Sequence, residues 1–486
     1  MCGIRWVGAC DHCTAVPLTI DVVHIVHVLH PKNNDDRLSM NDMTDTTRLT
    51  DIVTRLVEAA RRAGADAADA VTLRSRSQGV TVRLGKVEST EAAESDDVAL
   101  RVFVGQRTAS VSANATSDPH TIAERAVAMA RVSPEDPYQG LVDPARLMQA
   151  PRDLDLVDAT EVRADALLEA ALAMEEAALA VNGVRNSGGA SAGAGMGGLV
   201  LATSAGFVGH YTRSRFSRSV SVIAGEGTAM ERDYDYSMRL HQADLEAPEV
   251  IGLSAGERAV RRLNARKART GPATVIYDPR VARGLAGHLA GAINGASVAR
   301  KTSFLRDRMG QPVASSAITV TDDPLLRRGL TSRPFDGEGV EGQAMIMVDK
   351  GVLAHWFLSH STARELGLET NGRGSRSAST VSPSSTNLAI EPGEASPEEL
   401  IASVKSGFYV TEVFGQGVNM VTGEYSRGAS GFWIENGELA YPVSEITIAA
   451  NLKDMFMNMV PANDVDRAHS TAAPTLLVEG MTIAGE

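Results

Sequence analysis

The stretch Val98-Ala99-Leu100-Arg101-Val102-Phe103-Val104-Gly105 alternates branched apolar residues with small, charged or aromatic neighbours and stops at a glycine. Such alternation is typical of a β-strand with one face in a hydrophobic core, and glycine suits the turn that follows because it tolerates positive φ. Two further strands are predicted upstream, at residues 70–75 and 79–84, with a turn at Gly85. The residues therefore predict a small sheet.

Helical patterns flank these strands on both sides. Apolar residues recur at a spacing of three to four residues from Leu49 to Ala60, and Gly64 stands where a helix C-cap belongs. A second helix is predicted at residues 119–131. The first folded unit is therefore a small α/β domain, which we place at residues 47–133.

The rest of the chain divides into two further predicted domains. The polar, proline-containing stretch at residues 133–137 suits a linker. Residues 134–270 then combine helices at 161–181 and 254–268 with strands at 199–203 and 219–224. Residues 271–486 are β-rich, with hairpin turns predicted at Lys350-Gly351 and Asn436-Gly437. The fold class is therefore α+β, with a small N-terminal α/β domain, a central mixed α/β domain and a β-rich C-terminal domain.

Composition excludes several functional classes. The formal net charge is −13, so we expect no nucleic-acid and no membrane partner, because both need clustered positive charge. A basic run on a predicted helix, at residues 261–269, is interpreted as a solvated face. No apolar run reaches the length of about 20 residues that spans a bilayer. Together with the scarcity of cysteine, this predicts a cytoplasmic protein.

The first residues differ from the rest, and we treat residues 1–46 as an extension that is disordered or follows a start codon assigned too early. All three cysteines lie there, namely Cys2, Cys10 and Cys13, followed by three histidines at three-residue intervals, His24, His27 and His30. A metal site is the alternative interpretation. Met40 or Met43 would be the natural start in the favoured interpretation.

Two motifs suggest chemistry but lack the required context. Residues 193–198 match the G-x-G-x-x-G pattern of dinucleotide-binding proteins, yet a predicted helix precedes them and a strand follows, the reverse of that motif's order. We interpret them as a flexible connection. Ser359-His360-Ser361 suggests a nucleophilic serine, but no G-x-S-x-G turn accompanies it. His355 and His360 are therefore assigned structural roles.

Zinc hydrolysis requires three protein ligands and usually a glutamate as general base. The predicted helix at residues 281–288 carries one histidine, His288. One turn earlier, where a second ligand and the base would be needed, stand Arg283 and Gly284. An arginine is a permanent cation and would repel Zn²⁺.

The chain resembles the TldD/PmbA family, and specifically its PmbA branch, also called TldE. The resemblance extends from about residue 47 to residue 485 and depends on ordered motifs. These are Gly85-Lys86-Val87-Glu88-Ser89, residues 100–107, Thr203-Ser204-Ala205-Gly206-Phe207, residues 287–293, Lys301-Thr302-Ser303-Phe304-Leu305, Arg333-Pro334-Phe335-Asp336-Gly337-Glu338-Gly339 and residues 430–437.

In the TldD branch, the resemblance implies an H-E-x-x-x-H helix and a late cysteine that together hold zinc. Here Arg283, Gly284 and His288 stand at the motif positions, and the stretch before Ala473 carries His469 but no cysteine. The resemblance therefore implies a remnant of a metal site at Arg283, Gly284 and His288, with no catalytic residue and no metal ligand in this chain. Residues 271–486 would be a metalloprotease-like domain.

The expected function is that of a non-catalytic subunit of a TldD/TldE-type metalloprotease complex that degrades or processes unfolded peptides and small proteins. Its partner would be a TldD-like subunit carrying the zinc, and activity is expected only in that complex. Two alternatives remain open. The chain could be a peptidase in its own right, using His288, His355, His360 and His469 as unconventional ligands. It could also be a peptide- or protein-binding regulator without a peptidase role.

Overall fold

The computed structural model describes residues 46–377 and 380–486. The predictions that concern the N-terminal cysteines and histidines therefore lie outside the described residues. Within the described part, no helix combines the length and the apolar character needed to cross a bilayer. The elements form two large bodies, one built on a single long sheet and the other on two further sheets.

The first body contains a six-stranded antiparallel sheet in the order β3-β2-β1-β4-β5-β6. Its strands are β1 (Ala67–Arg83), β2 (Lys86–Val104), β3 (Arg107–Asn114), β4 (Val184–Thr203), β5 (Val208–Ala224) and β6 (Glu231–Arg239). Strand β1 pairs with β2 on one side and with β4 on the other. The sheet is therefore continuous across the predicted boundary at residues 133 and 134.

The turn between β1 and β2 shows how the long hairpin is held. Leu84 and Gly85 have φ values of 51° and 72°, a conformation that costs a glycine little. The buried carboxylate of Glu175 accepts hydrogen bonds from both backbone nitrogens, at 2.9 and 2.8 Å. A helix of the central segment thus fixes a turn of the N-terminal segment.

Helices cover one face of this sheet. They are α1 (Thr47–Arg62), α2 (Pro119–Val132), α3 (Ala164–Leu179) and α4 (Pro248–Arg261). Helices α1 and α2 bury residues such as Leu100 and Val102, which confirms the amphipathic opening helix. Helices α3 and α4 cover the other end of the face, at residues such as Val82 and Ala192. Helix α4 ends earlier than the predicted helix at 254–268.

The second body is centred on a six-stranded sheet in the order β16-β15-β14-β7-β19-β17. An additional pairing of β16 with β19 closes five of these strands into a ring. The strands are β7 (Gly271–Tyr277), β14 (Ser406–Phe414), β15 (Glu424–Glu435), β16 (Glu438–Asn451), β17 (Met459–Pro461) and β19 (Leu476–Ala484). The predicted hairpin at Asn436-Gly437 joins β15 to β16, with φ values of 50° and 83°.

A five-stranded sheet in the order β10-β9-β8-β13-β18 and a two-stranded ribbon of β11 and β12 complete the second body. These strands are β8 (Val320–Asp323), β9 (Met345–Asp349), β10 (Val352–Leu353), β11 (Gly374–Arg376), β12 (Val381–Pro383), β13 (Asn387–Ile390) and β18 (Thr471–Ala472). The helices are α5 (Pro279–Ala292), α6 (Gly295–Ala299), α7 (His360–Glu365), α8 (Pro397–Ala402) and α9 (Leu452–Met457). This combination confirms the α+β class and its β-rich C-terminal part.

The two bodies meet through a cluster of buried charges. Asp69 of β1 accepts hydrogen bonds from Arg101 of β2 and Arg376 of β11, each at 2.5 Å. Glu338 lies 3.8 Å from Arg101, and Asp336 accepts from the backbone nitrogen of Glu338 at 2.8 Å. Paired and hydrogen-bonded in this way, the buried charges avoid the large cost of isolation. They fix the sheet to the C-terminal body.

The interpretation of residues 193–198 as a flexible connection was wrong. These residues lie inside β4, which pairs with β1 and β5 along most of its length. Alternate residues such as Ala192, Ala194 and Met196 are buried under the helices, while the intervening glycines face the other way. The glycine content hid the strand because only one face of the strand carries side chains that a periodicity can reveal.

Candidate functional site

Helix α5 carries the three residues predicted as the remnant of a metal site. The helix begins directly after β7, where the side chain of Asp278 accepts a hydrogen bond from the backbone nitrogen of Arg280 at 2.9 Å. Pro279 occupies the first helical turn, where its missing N–H costs nothing. One face buries residues such as Leu285 and Leu289 against the core. The remnant residues lie outside this buried face.

An opening borders the outer face of α5. Gly284 and Gly287 are exposed, and a Cβ atom added to either would find no heavy atom within 4 Å. His288 follows Gly284 by one turn and is half-buried, edge-on to the ring of Tyr425 with 6.1 Å between centroids. The structure therefore brings Gly284 and His288 to the side of one opening.

His288 lies in a cationic environment. Burial and the positive charge of Arg427 lower the pKa of His288 to about 4. Its imidazole is therefore neutral at neutral pH, and a second proton or another cation nearby is disfavoured.

Arg283 is bound to the first sheet rather than free. Its Nε donates a hydrogen bond to the backbone oxygen of Pro279 at 3.2 Å. Its Nη1 donates to the hydroxyl of Tyr236, on β6, at 3.0 Å. Arg283 thus joins the start of α5 to the edge strand of the first sheet.

His469 approaches the same tyrosine from the C-terminal segment. Its ring lies edge-on to Tyr236 with 5.7 Å between centroids, and its Nε2 is 3.4 Å from a carboxylate oxygen of Asp466. The hydrogen bond from His469 lowers the pKa of Asp466 to about 2. Arg283 and His469, both noted in the sequence, therefore converge on Tyr236, which sequence reasoning missed.

The basic run at residues 261–269 is partly buried beside this site, so its interpretation as a solvated face was wrong for Arg262. Arg262 is 8% exposed and lies 2.6 Å from a carboxylate oxygen of Glu412 and 3.4 Å from one of Asp233. Arg280 of α5 donates to Asp233 from the other side, at 3.1 Å. The side chain of Asp233 is therefore shared between the two bodies.

Family models match three parts of the chain: the PmbA/TldA metallopeptidase domain 1 at residues 68–130, the central domain at 157–263 and the C-terminal domain at 270–485. The protein named metalloprotease PmbA of Escherichia coli is 38% identical over 426 residues, which cover 87% of this chain and 93% of that protein. This chain belongs to the PmbA/TldD family. The resemblance found in the sequence is thereby confirmed.

Two more relatives of the PmbA/TldD family agree. The metalloprotease PmbA homolog of Haemophilus influenzae is 37% identical over 434 residues, covering 88% of this chain and 94% of that protein. The crystal structure of TldE from Thermococcus kodakarensis superposes with a TM-score of 0.79 at 20% identity, covering 89% of this chain and all of that one. The structural likeness shows that the two chains share a fold.

Because the PmbA/TldD family is a metallopeptidase family, the residues on α5 can be tested for their fit to zinc. Arg283 supplies no lone pair, Gly284 has no side chain, and His288 is a single imidazole beside Arg427. Within residues 46–377 and 380–486, no group of three or more His, Cys, Asp or Glu side chains is placed to hold a metal ion. These residues do not fit a zinc site.

The same observation bears on the alternative ligand set of His288, His355, His360 and His469. The structure does not bring these four histidines together as a metal-binding group in its described part. Burial, with the charges of Arg364 and Arg101, lowers the pKa of His360 to about 4. The preceding Ser359 forms a capping box with Thr362 at the start of α7. The Ser359-His360-Ser361 motif therefore serves to begin a short helix.

Proposed function

We propose that this chain is the non-catalytic subunit of a TldD/TldE-type metalloprotease complex that degrades or processes unfolded peptides and small proteins. The observation that supports this most directly is the state of Arg283. At the motif position of the first zinc ligand, its guanidinium is hydrogen-bonded to Tyr236 and joins α5 to the first sheet. A side chain that stabilises the fold there serves a structural purpose.

Electrostatics support the same proposal. Arg283 places a permanent positive charge at one end of the opening, and Arg427 disfavours added positive charge at His288. A divalent cation between them would be repelled from both sides. We therefore assign the zinc to a TldD-like partner subunit, while this chain contributes surface around the substrate. We propose a cytoplasmic location, without nucleic-acid or membrane partners.

The test is peptide cleavage together with metal analysis, on this chain alone and after mixing with a TldD-like partner. We expect no cleavage and no stoichiometric zinc with this chain alone. The mixture is expected to cleave unfolded peptides, with about one zinc per partner chain. Cleavage by this chain alone, lost on chelation and restored by zinc, would refute the proposal.

Matched variants sharpen this test. Gly284→Ala in this chain changes the position of the missing general base, and it leaves cleavage by the mixture within about twofold of wild type because the added methyl group enters open space. The corresponding Glu→Ala change in the H-E-x-x-x-H helix of the partner should abolish cleavage. If the mixture cleaves after the partner's change and fails after Gly284→Ala, the roles of the two chains are the reverse of those proposed.

The regulator alternative differs in one outcome. A peptide- or protein-binding regulator would leave the rate and the products of cleavage by the TldD-like partner unchanged on mixing. The proposed subunit instead makes cleavage depend on both chains, with the rate saturating at a fixed molar ratio. A titration of this chain against a constant amount of partner distinguishes the two.

A further inference from the structure

The face of the first sheet opposite its helices is open over much of its area. Alternation in β4 places Gly193, Gly195 and Gly197 on this face. The register places Ser75 and Ser77 of β1 beside Gly197 and Gly195. On the other side of β4, the same rows continue into β5 with Arg213, Arg215 and Ser217. We call the residues Ser75, Ser77, Gly79, Gly193, Gly195, Gly197, Arg213, Arg215 and Ser217 the open face.

The contacts around the glycines show that no layer covers the open face. A Cβ atom added to Gly195 would meet only backbone and side-chain atoms of the neighbouring strand, at Arg76 and Ser77. At Gly197 the nearest atom is the backbone oxygen of Arg74, at 3.5 Å. Ser75, Ser77 and Arg215 are exposed. A second chain can therefore approach the backbone of β4 closely.

The open face has one closed end and one end that leads to α5. Tyr211, on the same face of β5, packs edge-on to Phe335 of the C-terminal body with 5.3 Å between centroids. At the edge of the sheet, Tyr236 of β6 is paired with Ser219 of β5 and holds Arg283. The open face and the opening beside Gly284 therefore border the same edge strand, β6.

Two guanidinium groups on the open face have no carboxylate partner in the described part of the chain. Arg213 lies over the ring of Tyr211, and its Nη1 is 3.4 Å from the backbone oxygen of Leu330. Partial desolvation by atoms beside it, together with the positive charge of Arg213, lowers the pKa of Arg215. The side chain of Arg215 is nevertheless exposed. In a chain with a net charge of −13, this pair forms a local cationic site.

We propose that the open face binds an extended, acidic segment of a peptide substrate, whose carboxylates pair with Arg213 and Arg215. Flat strands with bare glycines accommodate an extended backbone, and the two guanidinium groups provide charge complementarity. The inference rests on the proposed function, because it names the class of substrate that the non-catalytic subunit receives. Its physical content is a preference for carboxylates over neutral side chains of the same shape.

The test is equilibrium binding to the full isolated chain, measured by fluorescence anisotropy without partner or zinc. The probes are a labelled, unstructured 15-residue peptide with four glutamates and the same peptide with four glutamines. Exposed ion pairs contribute modestly, so two pairs predict about a tenfold preference for the acidic peptide at low salt. This preference should shrink as salt is added, because screening weakens the pairs.

Two variants locate the preference. Arg213→Gln combined with Arg215→Gln should reduce it to less than twofold while binding of the neutral peptide stays the same. Arg185→Gln serves as the control, since Arg185 is an exposed arginine of the same sheet paired with Glu226 away from the open face, and it should leave the preference unchanged. Circular dichroism and melting temperature check that the variants fold.

Several outcomes would overturn the inference. These are no binding of either peptide, equal affinity for both, or an acidic preference that survives in the double variant. Displacement of the acidic peptide by a 15-nucleotide oligothymidylate at lower concentration than by unlabelled peptide would instead assign the site to phosphate. Because no cleavage is measured, failure here leaves the zinc and partner results intact, and zinc-dependent cleavage by this chain alone would refute the proposed function without changing this binding result.

Discussion

Replacing Glu338 by glutamine should make the protein more stable at alkaline pH and leave it nearly unchanged at acidic pH. Glu338 is 5% exposed, and its Oε2 accepts a hydrogen bond from the backbone nitrogen of His360 at 2.7 Å. Burial, together with the negative charge of Asp336, raises the pKa of Glu338 to about 7, against the opposing effect of Arg101. Glutamine keeps the acceptor oxygen and removes the charge.

The magnitude follows from linkage between protonation and folding. The unfolded chain ionises this glutamate near its ordinary value of 4.5, whereas the folded chain keeps it protonated up to about pH 7. Between these values the folded state holds more protons, so the free energy of unfolding falls as pH rises. At about 1.4 kcal/mol for each pH unit, the wild type loses about 3 kcal/mol that the Glu338→Gln variant retains.

The assay is urea unfolding followed by circular dichroism at pH 5, 6, 7 and 8, for wild type, Glu338→Gln and Glu341→Gln. Glu341 pairs with Arg152 at the surface and controls for the loss of an exposed glutamate. The difference between Glu338→Gln and wild type should grow from near zero at pH 5 to about 3 kcal/mol at pH 8. A difference that does not change with pH would show that Glu338 is ionised throughout, and that the reasoning is wrong.

Three further predictions follow from buried or constrained groups. Arg373→Met should lower the free energy of unfolding by about 3 to 5 kcal/mol in urea titrations, because it leaves the fully buried Asp322 without its cation; a change below 1 kcal/mol would contradict this. Glu175→Ala should cost about 1 to 3 kcal/mol by exposing two unpaired nitrogens in the β1–β2 turn, and equal stability would exclude that role. The imidazole of His288 should titrate near pH 4 by NMR and at higher pH after Arg427→Gln, so a wild-type midpoint near 6.5 would disprove the cationic environment. Because the unfolded chain binds the His288 proton more readily, this group lowers stability as pH falls below about 6.5.

Local patterns were sufficient for elements whose side chains repeat with a clear period. The helix from Thr47 was predicted because its apolar residues recur every three to four positions, and the structure buries them. The hairpin at Lys350-Gly351 was predicted from turn chemistry, and both residues have positive φ, at 44° and 82°. In each case the residues that decide the structure are close together in sequence.

Interactions between distant residues could not be predicted in this way. Arg262 was assigned to a solvated face, but Glu412, 150 positions later, and Asp233 neutralise it in a buried site. Nothing near Arg262 in sequence indicates these partners. The same holds for Tyr236, which meets Arg283 only because β6 and α5 come together between the two bodies. The glycine-rich part of β4 had one usable signal, the alternation of Ala192, Ala194 and Met196.

The central place of β1 has a consequence for how this protein can change over evolutionary time. Residues 69–82 of β1 are hydrogen-bonded to residues 190–203 of β4, so the segments matched by the first and the central family models share one sheet. A recombination event that joined the first segment of one relative to the central segment of another would have to preserve this register. A one-residue slip would turn the apolar side chains of β1 towards the wrong face. The two segments are therefore inherited together as a single exchangeable unit.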